Sequence, residues 1–514
     1  MGTYRETAKN IVKEAIKSAI YIDENALEPF VELTREKTDE ENRSVQLYNA
    51  FRKDAISLSI LKYASDEFAL KKNFAFQNRD LVLLDWELEG TSQGGEKALE
   101  LLSDIVCNQH HIHFCAIYSA EPQKDKILKN ILSYFSNTTE EEYTAIKLDL
   151  ESNQNVINLL PQLNQLILDR STQKKKEIIR NNVNAIKAIH DLINENDKLC
   201  SLIKCAFAFD NSLYKSKVKL PCPKTIDSQN STLIIENTII QILNKQETTP
   251  NDLIQSLSDK VADYQWGAMQ LLGLEMLNIS RKHCSFVSSD ILQVSQSALA
   301  HHKQNHPEDF QDFIKSVLIE QSAIGLRNEN LLLVDAIESN EEKDIKSELI
   351  SMNVFYNSVK LDHDKKLSFG DVFKQDSEYF ICITALCDCL RPDKIKNSFF
   401  FAKGTIIKQD TALEIGDTGF ISFLNNKISV RWDCPPTNNN TTPAYIKPLN
   451  YFIPNNQIED KKLKVYNIEE KEGEVNIYPN NWEYVTTIKQ NYAQRIANQA
   501  FAYPIRVGVD FVKK

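Results

Sequence analysis

The run LVLLDWELEG (81–90) sets the reading of the chain. Leu81, Val82, Leu83 and Leu84 are apolar without alternation, the pattern of a short strand buried on both faces, and the run stops at the carboxylate of Asp85. Working outward, Ala19 to Ile22 is a similar run that stops at Asp23-Glu24, and Ser57 to Leu61 is strand-like. Glu96 to Val106 predicts a helix with Ala98, Leu101, Leu102 and Ile105 on one face. Ile112 to Tyr118 predicts a strand ending in Ser119-Ala120. Lys124 to Phe135 predicts a helix, Tyr143 to Leu148 a strand carrying Lys147 near its end, and Val156 to Leu168 a helix. Strands alternating with helices predict a parallel α/β sheet covered on both faces.

Such sheets bind ligands beyond the carboxyl ends of their strands. Asp23, Glu24, Asp85, Ser119 and Lys147 all fall at strand ends of this kind. Two or three converging carboxylates suit hydrated Mg²⁺. Asp85 is then a candidate nucleophile toward a phosphoryl group, with the metal and Lys147 neutralising phosphoryl charge and the Ser119 hydroxyl donating to a phosphoryl oxygen.

On IYIDEN (20–25), LVLLDWELEG (81–90), GGEKALELL (94–102) and IYSAEP (117–122), the chain resembles the receiver domain of two-component response regulators. The resemblance implies a flavodoxin-like, five-stranded parallel sheet. It also implies Asp85 as phosphoacceptor, Asp23 and Glu24 as the acidic pair, Ser119-Ala120 as the switch motif and Lys147 as the cation. Mg²⁺ would be held by Asp23, Glu24, Asp85 and the backbone carbonyl of Glu87, and the phosphoryl donor would be a partner histidine kinase. Gly90, Gly94 and Gly95 would loosen the loop after Asp85. Further on, YFICITALCDCLRP (379–392) and YAQRIANQAFAYPIRVGVDF (492–511) resemble extended receiver proteins of bacterial anti-phage phosphorelays of the Detocs type. That likeness implies an effector-less chain that drains phosphoryl groups.

Length and composition agree with several soluble domains. With 514 residues the chain has room for about three. The expected division is a receiver domain at 1–170, an α-helical domain at 171–345 and a β-rich domain, a small barrel or sandwich, at 346–514. Lys174 to Cys205 reads as one helical stretch, and 233–335 as mostly helical. The last third reads as short strands with a closing helix from Thr486 to Ala500. Only 13 glycines are present, with no GxxxxGK[ST] and no GxGxxG, which argues against a glycine-rich nucleotide cradle. The net charge of −11 (60 Lys and Arg against 71 Asp and Glu) disfavours nucleic acid as a partner. Apolar runs stay below the roughly 18 residues of a membrane span, and Met1 to Lys13 lacks a signal-peptide core, so a cytoplasmic location is expected.

Two alternatives stay open. Glu89 and Trp86 beside Asp85 are compatible with a receiver fold that is not phosphorylated and serves as an interaction scaffold. Cys387, Asp388 and Arg391 could mark an enzyme site in the last third, and Cys382, Cys387, Cys389 and Cys434 a metal site; buried thiols and a structural turn explain the same residues.

Overall fold

A computed structural model describes residues 3–89, 94–108, 111–168, 172–195, 197–263, 267–305, 310–337, 345–361, 364–416, 420–432, 446–471 and 474–502. The chain divides into two units, Met1–Ser339 and Asn340–Lys514. Gly90 and Cys434, and the last residues of the 492–511 motif, lie outside the described residues. Among the described residues no helix is long and apolar enough to cross a membrane.

The first unit begins with α1 (Tyr4–Ala15), β1 (Ser18–Asp23), α2 (Asp39–Lys53), β2 (Ser57–Lys62), α3 (Ser65–Phe76), β3 (Leu81–Leu84), α4 (Gly94–Asn108), β4 (His113–Ser119) and α5 (Lys124–Tyr134). Five helices follow: α6 (Glu140–Glu151), α7 (Gln154–Leu168), α8 (Thr172–Asn181), α9 (Val183–Ile193) and α10 (Lys198–Phe207). Then come β5 (Thr225–Asp227), β6 (Thr232–Ile235), β7 (Thr238–Asn244), α11 (Leu253–Ala262) and α12 (Ala268–His283).

These strands form one seven-stranded sheet of order β2-β1-β3-β4-β7-β6-β5. The first five run parallel; β6 pairs antiparallel with β7, and β5 antiparallel with β6. Alternation along each strand feeds two cores. Ile20, Ile22, Val82, Leu84, Cys115, Ile117, Ile240 and Ile242 face one side, with apolar residues of α3, α4, α5 and α10. Ala19, Tyr21, Leu81, Leu83, Phe114, Ala116, Tyr118, Ile239 and Leu243 face the other, with α1, α2, α11 and α12. Burial on both faces is why these strands read as continuous apolar runs.

The fifth parallel strand is β7, and this corrects two expectations. Residues 143–148, expected as a strand, lie in α6. Thr139 and Glu142 form a reciprocal capping box at its start, and Tyr143, Ile146 and Leu150 turn one face to the small core shared with α7, α9 and α10. Residues 232–244, expected within a mostly helical region, form the β6–β7 hairpin, with Glu236 at φ 49° in its turn. The sheet thus takes a strand from beyond the expected boundary at 170. The stretch 174–205, expected as one helix, is broken into α8, α9 and α10, with Asn194 in left-handed conformation closing α9.

The second unit carries a nine-stranded antiparallel sheet. Its strand 378–382 pairs with both 371–375 and 398–407, and 371–375 also pairs with 474–488. With 448–452 and 462–471 this closes a six-stranded ring around Phe373, Phe380, Phe399, Phe401 and Trp482. Gly404 is required where the barrel wall meets Trp432: a Cβ there would lie 2.6 Å from the indole. The closing helix spans Gln490–Ala502, while 486–488, expected as its start, belong to the preceding strand. Val485, Thr486, Thr487 and Ile488 are β-branched, which favours the strand.

Candidate functional site

Three adjacent parallel strands, β1, β3 and β4, deliver the expected residues to one edge of the sheet. Asp23 is the last residue of β1 and is 1% exposed. Its Oδ1 accepts from the Asn25 amide (2.7 Å), which fixes the turn after the strand, and its Oδ2 accepts from the Tyr21 hydroxyl (2.5 Å). Asp85 follows β3 directly and is also buried, with its amide donating to the Ile22 carbonyl (3.0 Å). Ser119 closes β4, buried, with its hydroxyl oxygen accepting from the Glu121 amide (3.0 Å). Glu24 is half-buried and accepts from the Asn25 side-chain amide (3.2 Å). Glu87 is exposed on the loop that leaves Asp85.

The cation at the site is Lys245, not Lys147. Lys147 lies on α6, with its ammonium 5.7 Å from the centre of the Phe209 ring. Lys245 follows β7, so parallel pairing of β7 with β4 sets it beside Ser119, whose carbonyl accepts from the Lys245 amide (2.8 Å). Its Nζ lies 2.8 Å from Asp23 Oδ2, 3.1 Å from Asp85 Oδ1 and 3.2 Å from Glu40 Oε2. The sequence carried a signal for it. Ile239 to Leu243 is an apolar run broken only by Gln241, and it stops at Asn244-Lys245 as the other runs stop at Asp23 and Asp85. The distance along the chain from Ser119 hid the relation.

The electrostatics follow from burial. Burial raises the Asp85 carboxyl to about 7; the Asp23 and Glu40 charges add to the rise, and Lys245 opposes it. Burial works against the Lys245 ammonium, but Asp85 and Asp23 outweigh it and raise its pKa. Burial, then the Asp23 charge, pushes the Tyr21 hydroxyl well up. Tyr21 is therefore a donor to Asp23 at neutral pH. The Lys245 ammonium thus stands among three carboxylates, Asp23, Asp85 and Glu40.

Hard carboxylate oxygens of Asp23, Glu24 and Asp85 suit Mg²⁺ in kind. Among the described residues no three His, Cys, Asp or Glu side chains already stand in metal-binding geometry.

Trp86 turns inward beside Asp85. Its indole packs on the first turn of α4, where a Cβ on Gly95 would lie 2.7 Å from the ring. Gly95 is thus required by close approach, not by loop freedom.

In the second unit Cys382 and Cys389 are buried in the barrel core, and Cys387 is exposed. Cys387 and Asp388 line a cleft of about 580 Å³ with Thr384, Phe400, Gln494 and Phe501.

Residues 15–165 match the family model described as a response receiver domain. Neither curated proteins nor solved structures gave a match. The matched stretch holds four of the five parallel strands, and β7 with Lys245 lies past its end. The N-terminal stretch is thus a receiver domain, a module of phosphorelay signalling that works with a kinase and typically binds Mg²⁺.

Proposed function

We propose that the chain accepts a phosphoryl group on Asp85 from a partner histidine kinase in the cytoplasm. The observation that carries this reading is the ammonium of Lys245 held between Asp23 and Asp85 at the ends of three parallel strands. An Asp85 carboxylate oxygen attacks phosphorus, the P–N bond of the donor phosphohistidine breaks, and its electron pair stays on the imidazole. Lys245 neutralises charge on the phosphoryl oxygens, and the Ser119 hydroxyl turns from its loop contact to donate to one of them. Mg²⁺, held by Asp23, Glu24, Asp85 and the Glu87 carbonyl, would supply further charge neutralisation when bound.

Incubation with Mg²⁺ and a small acyl phosphate, followed by intact-mass measurement, tests the reading. One added phosphate is expected on the wild type and none on Asp85→Asn. An unlabelled wild type would favour a receiver-fold scaffold instead. The finer assignment, a phosphoryl sink in an anti-phage relay, is supported by the sequence likeness of 379–392 and 492–511. A neighbouring gene for a histidine kinase would strengthen it. A catalytic role for Cys387 and Asp388 is supported by their place on the cleft, and loss of in-cell function on substituting both would be its sign.

A further inference from the structure

Neither the strand-end pattern nor the receiver resemblance assigns a role to Glu40, yet it is built into the site. Thr38 and Glu41 cap the helix on which it sits, and Arg35 pairs with Glu41 (2.7 Å). Ser44 ties the backbone of Glu40 to the connection after β1: its hydroxyl donates to the Glu40 carbonyl (3.0 Å) and accepts from the Leu27 amide (3.1 Å). The Glu40 carboxylate lies between two cations, Lys245 (3.2 Å) and Arg43 (3.3 Å). Arg43 is itself held, donating to the Tyr118 hydroxyl (3.3 Å) and to the Lys245 carbonyl (3.1 Å).

An ammonium has three N–H donors. Around Lys245 stand three carboxylates, Asp23, Asp85 and Glu40. A phosphoryl group arriving on Asp85 brings new negative charge that Lys245 must serve. Asp23 is fixed by Tyr21 and Asn25, and the Glu40 carboxylate is held by Arg43 on a capped helix, so both keep their hold on the ammonium.

We infer that Glu40 is a positioning residue that restrains Lys245 and so slows phosphoryl acceptance at Asp85. The inference rests on the proposed function. Glu40 acts through Lys245, and its removal lets the ammonium turn fully to the phosphoryl oxygens. Because Glu40 is part-exposed and its helix is capped by other residues, Glu40→Gln should fold normally.

The test is the initial rate of labelling by a small acyl phosphate with Mg²⁺. Glu40→Gln should accept phosphate roughly five- to tenfold faster than wild type, the scale of one charge removed from a partly buried site. Glu40→Asp, which keeps the charge, should stay close to the wild-type rate. In a Lys245→Met background, Glu40→Gln should change the rate little, because the restrained group is gone. Equal rates for wild type and Glu40→Gln would overturn the inference and leave the proposed function standing. An equal acceleration in the Lys245→Met background would overturn it too, since Glu40 would then act on the phosphoryl group directly. No labelling of wild type would remove the proposed function, and this inference with it.

Discussion

The first four parallel strands and the fifth reach the same sheet by different routes. β1 to β4 all lie between Ser18 and Ser119, joined by short α-helical crossovers. β7 begins only at Thr238, after a helical insertion with its own small core around Tyr143, Leu159, Leu163 and Ile189. Yet β7 pairs with β4 over its whole length, and its far end supplies the cation of the site. The acids of the site therefore come from the contiguous part and the base from the detached part. A long-range contact of this kind pays its loop-closure entropy before it is rewarded, and here the ion pairs and the seam between β4 and β7 supply the return.

The largest expected effect comes from breaking the link at its charged end. Lys245→Ala leaves Asp23 and Asp85 buried without their cation and should destabilise the first unit by about 3–5 kcal/mol in urea unfolding. Lys147→Ala should stay within about 0.5 kcal/mol of wild type. Equal costs for the two substitutions would erase the contrast between the fifth strand and the insertion.

At the other end of the seam, His113 opens β4. Its Nδ1 lies 2.8 Å from the His111 carbonyl and its Nε2 lies 3.0 Å from the Thr238 hydroxyl. Burial pushes the imidazole down to about 4 from its ordinary 6.5. The unfolded chain takes up a proton below its ordinary pKa that the folded chain refuses until pH falls to about 4. This contribution to stability is thus complete above pH 6.5 and is lost as pH falls toward 4, by about 2–4 kcal/mol. Urea midpoints measured across that window should show the slope in wild type and a flatter one in His113→Asn. An unchanged slope would mean that the β4–β7 seam does not set the acid limit.

The smallest effect should come from the insertion. Thr139→Ala removes a cap from α6 and should cost about 1 kcal/mol, seen as faster hydrogen exchange over Glu140–Glu151. Phosphate acceptance at Asp85 should not change. A changed rate would show that the insertion reports to the site.

The contrast also explains what was legible in the sequence. β1, β3 and β4 could be read because each is a buried apolar run that ends in a polar residue within one local window. Asp23, Asp85 and Ser119 followed from those runs. Lys147 was misplaced because Tyr143, Ile146 and Leu148 look strand-like in isolation. The capping pair Thr139-Glu142 decides for helix there, and Leu148 ends up 64% exposed. Lys245 and Glu40 were missed for a different reason. Which run becomes the fifth strand, and which helix turn faces it, depends on pairing across the fold, and local periodicity carries no trace of that. In the last third the strands were legible individually, but closure into a ring depends on 378–382 pairing on both sides.

The packing of Trp86 on Gly95 gives the molecule an optical property. The indole is buried at the residue next to Asp85, pressed against the helix that follows it. Trp432 and Trp482 are sealed in the second unit, fully buried in its cores. Charge added at Asp85 changes the field at the indole beside it. The Trp86 share of the ultraviolet emission thus becomes a built-in gauge of the electrostatic state of the pocket, read with the other three tryptophans replaced by phenylalanine.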